Sequence, residues 1–161
     1  MNRASLVCNT GPLIALSLLE LLEEVAAVFD LVTTETVVEE WRSRAGEVPA
    51  GVRVLDQPVQ PNPMLSAQLD PGEASVILAA LEHNIGNVLI DETRGRKVAR
   101  RIYGLNVVGT ARILVDLHKA ERIERIQPYL EKLLGHGYWL SKAVLSWALA
   151  ECHKNPGTET G

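Results

Sequence analysis

The stretch NVLIDETRGRKVARRIYGLNVVGTARILVDLHKA, residues 87–120, alternates between two periodicities. Val88-Leu89-Ile90 is an unbroken apolar run bounded by polar residues, the pattern of a strand buried on both faces. Arg94 to Ile102 then has helical spacing, Asn106 to Val108 reads as a second strand, and Thr110 to about Ala120 as a second helix. Repeated strand-helix units in one direction need crossover connections, which predict a parallel sheet covered by helices on both faces.

The same alternation extends towards the N-terminus. Ser5 to Cys8 is a short apolar run ending in Asn9-Thr10-Gly11-Pro12, with Pro12 suited to the first turn of a helix through Leu19. Glu20 to Phe29 predicts a second helix with Leu21, Leu22, Val25 and Val28 on one face, followed by a strand at Leu31-Val32-Thr33 and a helix from Thr34 to about Arg44. Val52 to Leu55 reads as a short edge strand and Pro58 to Pro63 as its loop exit. Ala74, Ile77, Leu78 and Leu81 mark a helix from Asp70 to about His83. Beyond Glu121 only helical segments are expected, Gln127 to Leu134 and Ser141 to His153, with residues 155–161 a flexible tail. The expected class is α/β, as one domain over residues 1–154 with a helical extension from about residue 121.

Composition supports one ordinary core. The 161 residues are 47% hydrophobic and 22% charged, which excludes disordered and fibrous classes. With only three Trp, three Tyr and one Phe, the core must be aliphatic, and platforms for base stacking are not expected. A net charge of −4 argues against nucleic-acid binding by bulk charge while leaving room for a local basic stripe. Cys8 and Cys152 stand at opposite ends, as reduced thiols of a cytoplasmic protein would, and no Cys/His cluster suggests zinc. The N-terminal apolar run is broken at Asn9 to Pro12, so neither a signal peptide nor a membrane span is expected. No glycine-rich phosphate loop follows a strand, no GxSxG elbow is present, and the four histidines are scattered.

In an open parallel sheet, ligands bind outside the carboxyl ends of the strands. Asn9, Asp91 with Glu92, and Gly109-Thr110 stand there, and Glu40 and Glu73 lie on helices that return beside the sheet. Converging acids suit a hard divalent cation such as Mg²⁺ or Mn²⁺. Each residue also has a structural reading. Asp70 and Glu73 have capping-box spacing, Asp91 could cap the helix after it, Glu40 could face solvent beside the more exposed Glu39, and Asn-Thr-Gly-Pro is good turn chemistry. The one basic concentration is Arg94, Arg96, Lys97, Arg100 and Arg101, in which Arg96/Arg100 and Lys97/Arg101 form two adjacent rows of a helix. Such a stripe could follow a phosphate backbone beside the acids, or be a solvated face.

The blocks Val7 to Leu16, Leu69 to Ala74, Leu89 to Arg96 and Val107 to Thr110, taken in order, resemble the PIN domain, and in particular a largely uncharacterised branch of PIN-like proteins. Gly137-Tyr138-Trp139-Leu140-Ser141 is similar to that branch too, so the resemblance covers nearly the whole chain. It implies a three-layer fold with a central parallel sheet of about five strands and a metal-dependent ribonuclease activity, as in the toxins of toxin-antitoxin pairs. Carried over by position, Glu40, Glu73 and Asp91 match the acids that hold Mg²⁺ or Mn²⁺, while Thr10 and Thr110 match polar residues of the crevice. Asn9 replaces the usual first aspartate, so a scaffold that binds RNA or protein without cleaving is the alternative. The implied chemistry is hydrolysis of RNA phosphodiesters by metal-activated water. Trp139, Leu140, Val144, Leu145, Trp147, Ala148 and Leu149 cover more than one face of the final helix, which predicts a homodimer or an antitoxin partner.

Overall fold

The computed structural model describes residues 3–56 and 62–154. The expected loop at 58–61 and the expected tail at 155–161 lie outside the described residues. The chain runs β1 (Ala4–Cys8), α1 (Thr10–Leu18), α2 (Leu22–Val28), β2 (Phe29–Thr34), α3 (Glu35–Ala45), β3 (Arg53–Leu55), α4 (Pro63–Gln68), α5 (Pro71–Glu82), β4 (Asn87–Leu89), α6 (Thr93–Arg101), β5 (Asn106–Val108), α7 (Thr110–Lys119), α8 (Gln127–Gly135) and α9 (Lys142–Cys152).

Among the described residues the sheet has five strands, all parallel, in the order β3-β2-β1-β4-β5. The chain first moves outward from β1 to β3, then returns to β4 on the other side of β1. The carboxyl ends of β1 and β4 therefore flank the switch point at which a crevice opens. Leu6, Val7 and Cys8 of β1 are fully buried, because the central strand has a neighbour on each side and helices over both faces. Burial pushes the Cys8 thiol well above its ordinary range, and its Sγ bonds the Leu6 carbonyl, so it is an inert core residue.

Helix starts follow side-chain capping where the sequence supplies it. Thr34 accepts from Val37 N–H at 3.2 Å, Asp70 from Glu73 N–H at 2.8 Å, and Ser141 from Val144 N–H at 3.1 Å. Three details differ from the sequence reading. α4 occupies a stretch read as proline-rich connection: Asn62 caps it through Met64 and Leu65 N–H, and Pro63 sits in its first turn. α2 begins at Leu22 because Glu20 adopts φ 57°, which breaks the helix behind it. Phe29 leaves that helix and, with Asp30, pairs in register with Ala4 and Ser5, lengthening β2. No helix among the described residues is long and apolar enough to cross a membrane.

Candidate metal centre and its surroundings

Two helices that begin at the switch point do so without a side-chain cap: α1 after Asn9 and α6 after Glu92. Asn9 is held by its backbone, whose N–H donates to the Leu89 carbonyl at 3.0 Å, joining the ends of β1 and β4. Its side chain is buried at 7% exposure, and Oδ1 has no hydrogen-bond partner among the described residues. An amide oxygen buried without a donor is an unmet acceptor, at a cost of about 1–3 kcal/mol unless something else approaches it.

Glu73 is in the same position. Only half of the expected capping box forms: Glu73 N–H donates to Asp70, but the Glu73 carboxyl stays inside the protein, 2% exposed, with Oε2 unpartnered among the described residues. Burial, followed by the nearby carboxyls of Asp70, Glu92 and Glu40, pushes its pKa up to about 8. A Cβ placed on Gly95 in the first turn of α6 would overlap the Glu73 carboxyl and stand 3.1 Å from the Ile90 side chain. The absence of a side chain there is what lets α6 close over the acid.

Glu40 joins this group from α3. Its Oε2 accepts from the Thr10 hydroxyl at 2.6 Å, while Glu39 on the same helix faces solvent. Both Glu40 oxygens would lie 2.7 Å from a Cβ at Gly72, the residue before Glu73. The sequence-derived set Asn9, Thr10, Glu40 and Glu73 is thus drawn to the ends of β1 and the starts of α1 and α5, with Glu92 adding its charge.

Asp91 belongs to a second group. It does not cap α6. Its Oδ1 accepts from Thr110 N–H at 2.8 Å at the start of α7, and its Oδ2 accepts from the Thr110 hydroxyl at 2.5 Å and from the Tyr138 phenol. Tyr138 comes from the turn between α8 and α9, just after Gly137 at φ 81°. Burial and the adjacent Asp91 carboxylate hold its phenol firmly protonated, so it remains a donor. Arg96 lies on the other flank, half-buried, its Nη1 donating to the Ile90 carbonyl at 2.9 Å.

Nothing in the local pattern around Tyr138 links it to an acid 47 positions earlier. The block Gly137 to Ser141 was its only trace in the sequence. Aromatic residues are few, as the composition shows, and two of them, Trp139 and Trp147, are exposed at the mouth beside Asp91. The basic stripe divides. Arg96 and Arg100 face that mouth, Arg94 donates to the Gln68 carbonyl at 3.3 Å, and Lys97 and Arg101 are exposed on the neighbouring row.

The family model DUF3368, described as a PIN domain, matches residues 5–154. The chain belongs to the PIN-domain family. No curated protein and no solved structure matches it significantly. The fold is thus of the nuclease type, and PIN domains in general bind nucleic acid and depend on divalent metal.

The residues of this PIN domain fit such an ion in donor chemistry. The available atoms are hard oxygens, and Asn9 Oδ1 and Glu73 Oε2 are buried without protein partners. Asp91 is committed to Thr110 and Tyr138, and among the described residues no three acidic, His or Cys side chains stand close enough to form a ligand group by themselves.

Proposed function

We propose that this PIN domain is a metal-dependent endoribonuclease, with Asn9, Glu40, Glu73 and Asp91 as the residues that would hold Mg²⁺ or Mn²⁺. The observation that carries the reading is the pair of buried, unpartnered oxygens, Asn9 Oδ1 and Glu73 Oε2, at the carboxyl edge of the sheet. A fold without a ligand there would gain by bonding or replacing both. A bound divalent ion supplies charge neutralisation at the phosphate and a more acidic water.

The chain's own groups do the rest. Thr10 fixes Glu40 through its hydroxyl. Burial and its acidic neighbours raise the Glu73 pKa to about 8, so it would hold a proton near neutral pH that a bound cation would displace. Thr110 and Tyr138 hold Asp91 at the end of β4, and Arg96 and Arg100 offer positive charge beside it. Arg94, Lys97 and Arg101 would extend that charge along the strand through phosphate contacts, which position RNA without reading its sequence.

Incubation of the purified chain with single-stranded RNA, with Mn²⁺ or Mg²⁺ and with chelator, tests the reading. Cleavage that needs metal and falls to background in Glu73→Gln and Glu40→Gln is expected; metal-independent cleavage, or cleavage unaffected by both substitutions, overturns it.

A second reading is a scaffold that binds without cleaving, and the neutral Asn9 together with the engagement of Asp91 by Tyr138 favours it. Calorimetric titration with Mn²⁺ separates the two, since only a nuclease requires the ion. Exposed Leu134 on α8 and the half-buried Leu145 and Leu149 on α9 support a homodimer or an antitoxin partner, and the two free thiols support a cytoplasmic setting.

A further inference from the structure

Beside Asp91, α6, the start of α7 and the segment from Trp139 to Trp147 enclose an open cavity of about 490 Å³. Its lining is mixed: Arg96, Arg100 and Arg112 stand with Trp139, at 77% exposure, Trp147 and Val144. Arg112 is held by Asp116 through Nε at 3.1 Å, which orients its guanidinium, and Arg96 is oriented by the Ile90 carbonyl. Asp91 is the one acid among the described lining residues, and its oxygens already accept from Thr110 and Tyr138. Three arginines thus line one cavity with two accessible indoles; Arg112 is paired with Asp116 and Arg96 lies near Asp91, and Arg100 lines it without an ion pair among the described residues.

A purely apolar occupant, including a second copy of α9, would bury the Arg100 guanidinium without a counter-charge, which is costly. An inorganic anion would leave the indoles exposed. The complementary ligand carries a flat aromatic ring and a phosphate on one short unit, and the volume is in the range of small-ligand sites. We propose that this cavity is a nucleotide subsite, the base lying against Trp139 and Trp147 and the phosphate against Arg100 and Arg112. It rests on the ribonuclease reading for the further step that the nucleotide belongs to the RNA strand, flanking the position of cleavage. The binding itself needs neither metal nor Glu73.

Tryptophan fluorescence of the full chain in chelator tests this, because the remaining indole, Trp41, is buried and bonded to the Glu47 carbonyl and gives a constant background. Titrants are 5′-AMP, adenosine, inorganic phosphate and a single-stranded adenylate hexamer. Saturable quenching by AMP and by the hexamer is expected, with adenosine and phosphate weaker than AMP. Trp139→Leu and Arg100→Gln, both at exposed positions that leave the core untouched, should each weaken binding about tenfold. A hexamer that binds much more tightly than AMP identifies a strand subsite; equal affinities identify a free-nucleotide site. No saturable quenching by either, or titrations unmoved by both substitutions, overturns the proposal. Because the titration is metal-free, its failure leaves metal-dependent cleavage untouched, and a chain that binds AMP but cleaves nothing removes only the ribonuclease reading.

Discussion

Glu73 and Asp91 are both acids at the carboxyl edge of one sheet, yet the fold treats them in opposite ways. Glu73 is pressed under Gly95 with an oxygen left unmet and its proton affinity raised, whereas Asp91 is supplied with donors from Thr110 and Tyr138. The first arrangement costs stability and the second contributes to it. A protein selected for stability alone would have no reason to keep the first. On the proposed reading the ion would be drawn to where the folded chain is least satisfied, and the better-bonded acid is the one whose availability is restrained.

The largest break in this comparison is expected from Gly95→Ala. The new methyl would displace the Glu73 carboxyl or push α6 off Ile90, costing about 1–3 kcal/mol by chemical denaturation and removing divalent binding with it. Next comes the pH response. Glu73 titrates near 8 folded and near 4.5 unfolded, so its contribution is fully present below about pH 4.5 and is lost as pH rises through 8. Wild-type stability, followed by urea melts across that window, should decline relative to Glu73→Gln, and Mn²⁺ affinity should rise over the same window as the ion displaces the proton. A parallel pair of pH profiles would place the proton elsewhere.

Asn9→Asp sharpens the contrast by adding charge beside oxygens that lack donors. Calorimetry should show Mn²⁺ binding about tenfold tighter, while the metal-free variant is less stable than the parent. Unchanged affinity would make Asn9 a turn residue. Tyr138→Phe addresses the other acid: loss of one donor should lower stability by about 1 kcal/mol and free Asp91 enough to raise divalent affinity. The smallest effect is expected of Lys97→Ala with Arg101→Ala. A modest weakening of RNA binding, similar across sequences and smaller at high salt, would fit phosphate contact by that outer row.

The sheet, the helices beside it and the residues at the strand ends were legible in the sequence because each depends on local pattern: apolar triplets, prolines in first turns, an acid directly after Val88-Leu89-Ile90. Capping-box spacing was also visible, but whether Glu73 would complete the box depends on burial and on Glu40 and Glu92, which arrive from other elements. The Asp91–Tyr138 bond and the gathering of Trp139 with Arg100 and Arg112 depend on how α9 docks on α7, and side-chain periodicity carries no record of that. α4 had its signal in Asn62-Pro63, which a cluster of neighbouring prolines obscured.

The position of β1 also governs the order of assembly during synthesis. Among the described strands it is made before the other four and stands at the centre of the finished sheet, and the partner on its second edge, β4, starts only at Asn87. At roughly 5–20 residues per second, β1 and β2 can pair within moments, but the other edge of β1 stays bare for several seconds more. During that interval Leu6, Val7 and Cys8 offer an open apolar ladder to any other nascent chain, so overproduction at high synthesis rate should favour aggregation, and slower synthesis at lower temperature should favour soluble protein.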